Sequence, residues 1–248
     1  MFLNEIFNEH LEIKKFKIDL KYLSKVDSTN KESWKYYNVK ENDLLVLLTK
    51  NQTNGKGRRG NTWYSTKNKS LTFSIKKEYN TQLDILISYK IGLSIIEAIE
   101  NLCDLRCKLK WPNDIIYNNK KLGGILIEKK DNNLVIGVGI NVNENEENLN
   151  FEINKNITSL KINTNSIVVL ENLLANILNN FEFNYFNLSD SEILDYWNRK
   201  CAHINKKIKF HRNKSLISGV FKGLNSDGQA IIEMKNKIHY LGGGLINL

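Results

Sequence analysis

Residues 108–140 read KLKWPNDIIYNNKKLGGILIEKKDNNLVIGVGI. Within them Lys108–Trp111, Ile115–Tyr117, Gly124–Glu128 and Leu134–Ile140 read as successive strands. Upstream, Leu44–Thr49 is another continuous apolar run, and Ser70–Lys76 alternates as a half-buried strand. Between these strands, Asp84–Leu102 carries Leu86, Tyr89, Leu93, Ile96 and Ile99 at helical spacing, which predicts a long amphipathic helix. Residues 18–26 read as a strand running into Asp27-Ser28-Thr29-Asn30, a quartet of N-cap residues ahead of a helix-like stretch to about Tyr37.

Downstream, the Asn/Glu-rich segment 143–156 reads as a loop, and Val168–Phe186 and Ser191–Lys200 read as helices. The tail then changes character. Lys207–His211, Ile217–Phe221, Ala230–Met234 and Ile238–Leu241 are short strands, with Asn225-Ser226-Asp227-Gly228 as a turn. Such a run predicts a small barrel of about 45 residues. The class is α+β.

A chain of 248 residues is one large domain or a large plus a small one. Hydrophobic residues at 41% and charged residues at 25% are ordinary for a globular protein. The net charge of +9 suits nucleic acid, nucleotide phosphates or an acidic partner, but the lysines are scattered and form no long run. The three cysteines, Cys103, Cys107 and Cys201, include no Cys-x-x-Cys pair, and Cys201 with His203 is only half a zinc site. They read as reduced cytosolic thiols. Glu5, Glu9 and Glu12 rule out a signal peptide at the N-terminus. Leu83–Leu102, the most apolar stretch, carries Asp84, Lys90, Glu97 and Glu100 and is too polar to span a bilayer. A cytoplasmic location without membrane contact is expected.

The scarce residue types are concentrated. Ten of the 14 glycines fall in four clusters, Gly55/57/60, Gly123/124, Gly137/139 and Gly242/243/244. The one proline is Pro112, and two of the five arginines, Arg58 and Arg59, are adjacent inside the most glycine-rich loop. Glycine lets backbone N–H groups approach a ligand, and Arg offers forked donors to phosphate or carboxylate. Gly55–Gly60 is therefore a candidate anion cradle. It is neither a Walker loop nor a Rossmann fingerprint. Trp63, just beyond it, could stack on a base or anchor the loop to the core. Lys110-Trp111-Pro112-Asn113-Asp114 ends one strand and begins another. This corner groups an amine, an amide and a carboxylate, a set suited to triphosphate and Mg²⁺.

Gly-Lys-Gly-Arg-Arg-Gly (55–60), Lys-Trp-Pro-Asn-Asp (110–114), Lys-Leu-Gly-Gly-Ile-Leu-Ile-Glu (121–128) and Gly-Val-Gly-Ile-Asn-Val (137–142) resemble the motif series of biotin protein ligases, in the same order. Asp27-Ser28-Thr29-Asn30 resembles that family's first motif, and the resemblance runs from about residue 22 to the C-terminus. It implies a catalytic domain related to class II aminoacyl-tRNA synthetases, with a central mixed sheet over residues 1–200, and an SH3-like barrel over 201–248. It implies biotin contacts from Ser28, Thr29, Asn30, Gln52, Lys56, Gly57, Arg58 and Lys121. It implies ATP contacts from Arg58, Arg59, Trp63, Lys110, Asn113 and Lys121. Arg58, Lys110 and Lys121 would carry the chemistry, with Mg²⁺ on the triphosphate and Asp114 as its ligand or as an orienter.

The implied reaction joins biotin to ATP as biotinyl-5'-AMP and passes biotin to a lysine of a biotin carboxyl carrier protein domain. Lys56 stands where the family usually has Arg, and Asn61 where a basic residue usually follows. The family's two-function members carry an N-terminal DNA-binding winged helix. The stretch ahead of Asp27 is shorter than a domain, so no specific DNA partner is expected. The oligomeric state stays open, a homodimer included. A lipoate ligase is the nearest rival, but its Arg-Arg-x-x-Gly-Gly-Gly motif is absent. A basic nucleic-acid-binding module is the rival of another class, and it gives no reason for the Gly, Arg and Pro clustering.

Overall fold

The computed structural model describes residues 2–37, 39–82, 84–149, 156–212, 215–242 and 246–247. Gly243 and Gly244 of the last glycine cluster, Leu83 at the head of the apolar stretch, and residues 150–155 of the Asn/Glu-rich loop lie outside the described residues.

In chain order the first part of the molecule runs α1 (Asn4–His10), β1 (Lys17–Leu23), α2 (Thr29–Ser33), β2 (Asp43–Thr49), β3 (Gly55–Lys56), β4 (Thr62–Trp63), β5 (Leu71–Glu78) and α3 (Ile87–Cys103). The four-strand run of residues 108–140 follows as β6 (Lys108–Lys110), β7 (Asp114–Tyr117), β8 (Lys120–Lys130) and β9 (Asn133–Ile140). Then come α4 (Leu160–Thr164), α5 (Leu170–Phe186) and α6 (Asp190–Lys200). Seven strands form one sheet in the order β1-β2-β5-β9-β8-β7-β6. Only β1 and β2 are parallel; every other neighbour is antiparallel, so the sheet is mixed.

Register assigns each residue to a face, because side chains alternate along a strand. Val46, Ile75 and Ile136 share one row, and Leu48, Phe73 and Val138 the next, on one face. All six join Ile91 and Ile95 of α3 and Leu174 and Ile177 of α5 in a single core cluster. The other face carries Leu47, Ser74, Gly137 and Leu126 in one row, and Thr49, Thr72, Gly139 and Gly124 in the next. That polar, glycine-bearing face is covered by α2. β5 is therefore buried on both faces rather than half-buried as its alternation predicts. A polar face of period 2 reads as solvent-facing only when nothing else packs on it.

α2 ends at Ser33, short of the expected Tyr37. The reason lies on the same sheet face. Buried Lys76 donates from Nζ to the carbonyls of Tyr36 and Tyr37, both at 3.0 Å, so the chain leaves the helix to meet a cation. α6 is entered through a capping box between Ser189 and Glu192, which moves its start to Asp190, one residue ahead of the Ser191 expected.

α1 has no counterpart among the elements the sequence pattern predicts. It packs on α5, with Phe7 buried beneath it. The turn from α1 into β1 is held by two side chains of α5: the Glu182 carboxylate accepts the backbone N–H groups of Lys14, Lys15 and Phe16 at 2.7–2.8 Å, and Asn179 accepts from Glu12 N and donates to His10 O, both at 2.8 Å. Glu182→Ala would leave three donors without that partner. It is expected to lower unfolding free energy by about 2–3 kcal/mol, read by urea denaturation.

Beyond α6 five strands form a second, antiparallel sheet: β10 (Lys207–Arg212), β11 (Ser215–Leu224), β12 (Ala230–Met234), β13 (Lys237–Leu241) and β14 (Ile246–Asn247). Their order is β13-β12-β11-β10-β14, and the turn expected at Asn225–Gly228 joins β11 to β12. This sheet touches the first body closely. Tyr89 of α3 donates to the Gly228 carbonyl at 2.5 Å, and Phe221 of β11 packs on Trp111 and Trp197.

Candidate active site

The start of α2 is locked from several sides. Ser28 is its N-cap, and its Oγ accepts from Lys31 N at 3.5 Å. Thr29 N donates to Gln52 Oε1 at 2.8 Å, and Ser74 Oγ lies 2.7 Å from both Thr29 Oγ1 and Asn30 Oδ1. Asn30 Nδ2 donates to Leu126 O at 3.3 Å and Glu128 Oε2 at 2.9 Å. Both ends of the Asn30 amide are thus used inside the protein. Gly137 makes this possible: a Cβ there would collide with Asn30 Oδ1.

The Arg-Arg loop is a short ribbon. β3 pairs with β4, Gly57 N donates to Asn61 O at 2.7 Å, and a single 3-10 turn, Arg58–Gly60, closes the end. Arg59 and Gly60 both sit at positive φ, 57° and 79°. The ribbon folds back over the sheet, so that the Trp63 indole rests on Gly139, where any Cβ would strike it. The backbone carbonyl of Asn61 holds the turn, so its side chain is not what closes the loop.

The Lys110–Asp114 corner faces this ribbon. Asn113 is tied to β8 in both directions: its Nδ2 donates to Ile125 O at 2.7 Å, and its O accepts Ile125 N at 3.0 Å. Its Oδ1 is left to accept from Arg58 Nη1 at 3.3 Å. Lys121 Nζ pairs with Asp114 Oδ1 at 2.7 Å and lies 5.8 Å from the Trp63 ring centre. The Lys121 backbone is bonded to Asn156 O and Thr158 N, 2.7 and 2.8 Å.

These elements enclose a cavity of about 130 Å³. Its walls include Ser28, Thr29, Asn30, Gln52, Lys56, Gly57, Arg58, Trp63, Asn113, Asp114 and Lys121, eleven residues the motifs single out. Two expected residues lie elsewhere. Arg59 faces a groove on the outer side of the ribbon, beside Glu128. Lys110 does not line the cavity; its charge acts on His203 instead. His203 is fully buried, and burial first, then Lys110, holds its pKa down to about 4.

Thr72, Gly124, Leu126, Gly137 and Gly139 also line the cavity, and only the glycines stand out in the sequence. The signal that could have found Thr72 is the Thr72–Ser74–Lys76 alternation, a polar face on a strand whose neighbours β2 and β9 are mostly apolar or glycine.

Electrostatically the walls carry three cations, Lys56, Arg58 and Lys121, against one carboxylate, Asp114. Burial lowers the pKa of the Arg58 guanidinium and adjacent Arg59 lowers it further, while Asp114 and Tyr89 raise it. Among the described residues no carboxylate reaches ion-pair distance of Arg58. A half-buried cation with only an amide partner is a receptor for an anionic ligand. Among the described residues no group of three His, Cys, Asp or Glu could hold a metal ion, and Asp114 is already engaged by Lys121.

A glycine ribbon and convergent cations on one face of a mixed sheet define a class of protein that binds phosphate- and carboxylate-bearing ligands. The model of the Biotin/lipoate A/B protein ligase family matches residues 22–145, half of the chain, and the chain belongs to that family. It is 28% identical over 237 residues to the bifunctional ligase/repressor BirA of Escherichia coli, covering 90% of this chain and 72% of that protein. It is 35% identical over 104 residues to the chloroplastic biotin–protein ligase 1 of Arabidopsis thaliana, 38% of this chain and 28% of that one. The chain therefore spans less than a third of that plant relative's length. The solved biotin protein ligase from Aquifex aeolicus in complex with biotin and ATP superposes with a TM-score of 0.78 at 28% identity. That match covers 92% of this chain and 97% of the other. The chain has the biotin ligase fold, with a central mixed sheet and C-terminal antiparallel strands.

Proposed function

We propose that this chain is an ATP-dependent biotin–protein ligase, which makes biotinyl-5'-AMP and transfers biotin to a lysine of a biotin carboxyl carrier protein domain. The observation that carries the reading is the gathering of five separate motifs around one cation-rich cavity, in a fold shared with a ligase solved with biotin and ATP. The catalytic body, residues 1–200, is then of the class II aminoacyl-tRNA synthetase type, and residues 201–248 an SH3-like barrel. The change of sheet after α6 supports that division.

In the first step a biotin carboxylate oxygen attacks the α-phosphorus of ATP, the new O–P bond forms, and pyrophosphate leaves. Arg58 and Lys121 supply charge where it accumulates on the phosphoryl oxygens. Lys121 also offsets repulsion between carboxylate and phosphate. Asp114 orients Lys121 rather than binding a metal, and Mg²⁺ arrives as the chelate of ATP, its substrate. Asn113 orients Arg58. Lys110, the strand partner of Asp114, and Arg59, at the rim, are the further ATP contacts of this reading.

In the second step the carrier's neutral lysine amine attacks the mixed anhydride carbonyl, and AMP leaves with its electron pair. A desolvated approach favours the neutral amine. Ser28, Thr29 and Gln52, with Lys56 and Gly57, form the end for the ureido ring. Among the described residues no helix is long and apolar enough to cross a membrane. A homodimer remains compatible with this reading.

With Mg-ATP, the purified protein is expected to release pyrophosphate when biotin is added and little with lipoate or octanoate. Equal turnover with lipoate in the same assay overturns the assignment to biotin.

A further inference from the structure

Two polar atoms on the walls of the cavity are buried and have no hydrogen-bond partner among the described residues: Trp63 Nε1 and Thr72 Oγ1. Buried donors without partners are uncommon and costly. That two of them meet in one cavity is more informative than either alone. Thr72 is only 3% exposed.

Register places them together. Thr72 stands opposite Gly139, and the Trp63 indole, its Nε1 edge included, rests on Gly139. On the far side of Gly139 the same row continues to Gly124. A Cβ built on Gly124 would lie 3.5 Å from both Lys121 Nζ and Asp114 Oδ1. Three donors therefore converge on one row of the sheet: an indole N–H, a hydroxyl and an ammonium. The neighbouring row, with Ser74 and Gly137, is filled by Asn30 and lies roughly 7 Å along the strand. That distance separates a carboxylate end from a ring end.

We infer that Thr72 Oγ1 and Trp63 Nε1 donate hydrogen bonds to one oxygen of the acyl substrate's carboxylate, making Thr72 a substrate-binding residue on the floor of the site. This inference rests on the biotin ligase reading. Bound this way, the first oxygen is held by two donors, and the second keeps a lone pair for the α-phosphorus. The O–P bond forms at that second oxygen, pyrophosphate leaves, and the first oxygen becomes the carbonyl of the mixed anhydride. It stays on the same two donors when the lysine amine attacks and charge returns to it. The indole N–H can only donate, so an anionic or carbonyl oxygen is the partner that both groups accept.

The test compares two ligands across three proteins by calorimetry. The ligands are biotin and an analogue whose carboxylate is replaced by a methyl group. The proteins are the natural chain, Thr72→Val and Thr72→Ser. Thr72→Val keeps the shape and loses the hydroxyl; it is expected to weaken biotin binding about ten-fold, as for one hydrogen bond to a charged group. Binding of the methyl analogue should stay within two-fold, and Thr72→Ser should bind biotin as the natural chain does. Equal losses for both ligands, no loss with Thr72→Val, or Thr72→Ser as weak as Thr72→Val would each overturn the inference. If Thr72→Val fails to fold, Trp63→Phe, which keeps a ring and loses the N–H, allows the same comparison. Weaker biotin binding with the methyl analogue unaffected supports the inference there, and equal losses or no loss overturn it. A natural chain that binds no biotin at all sinks the functional reading itself, an outcome distinct from the others.

Discussion

Lys121→Met slows biotinyl-adenylate formation by roughly 30- to 1,000-fold, the loss of about 2–4 kcal/mol expected when one charge-assisted contact is removed from a dry site. The side chain reaches the cavity from β8 and is held against Asp114 at 2.7 Å. Its backbone is fixed on both sides by Asn156 and Thr158, so it does not have to be ordered when substrate arrives. Met keeps most of the stem and its packing beside Trp63. What is lost is the charge that lets a carboxylate and a phosphate approach each other. The loss should also strand Asp114 as an uncompensated carboxylate facing the incoming anions, which adds to the barrier. Lys121→Arg keeps the charge and is expected to recover part of the rate. Pyrophosphate release under single-turnover conditions measures this step alone. An unchanged rate in Lys121→Met removes Lys121 from the chemistry.

The strands that make the sheet are legible from apolar runs, as in β2 and β9, or from alternation, as in β5, and β6 to β9 have no competing helical period. The anion cradle is legible for a different reason: Arg and Gly are used sparingly elsewhere in this chain and are concentrated there. Pairwise relations are not legible. Lys110 and Lys121 look alike in sequence, yet Lys121 lines the cavity and Lys110, although its strand partner is the cavity residue Asp114, does not. The polar face of β5 reads as solvent-facing for the same reason. Only the packing of α2 on that face turns Thr72, Ser74 and Lys76 into buried groups with work to do. α1 escapes a sequence reading because seven residues carry too little periodicity; its packing on α5 and the capping of the following turn by Glu182 come from residues far away in sequence. The glycines at 137 and 139 stand out as a cluster, but their purpose, room for Asn30 and Trp63, belongs to partners more than 70 residues away.

Arg58→Gly is expected still to make the adenylate but to hold it poorly, releasing it at least ten-fold faster and labelling lysines on bystander proteins. Arg58 is the residue that ties the ribbon to the body of the site, through Asn113 Oδ1 at 3.3 Å. Its neighbours Gly57 and Gly60 do little to restrict the loop by themselves, and Arg59 already occupies a left-handed conformation. A glycine at 58 removes the forked donor to phosphate and enlarges the set of open loop conformations, so the closed state is weakened twice. Losing Arg58 also takes one cation from the adenylation step and slows it, but Lys121 and Trp63 are still in place, so the adenylate still forms while its retention, which needs the closed ribbon, suffers more. The free adenylate is a mixed anhydride that acylates exposed amines without a protein partner. The measurements are the dissociation rate of preformed adenylate and the biotin found on an added bystander protein, each compared with the natural chain. A variant that retains the adenylate as long as the natural chain shows that the ribbon is not the gate.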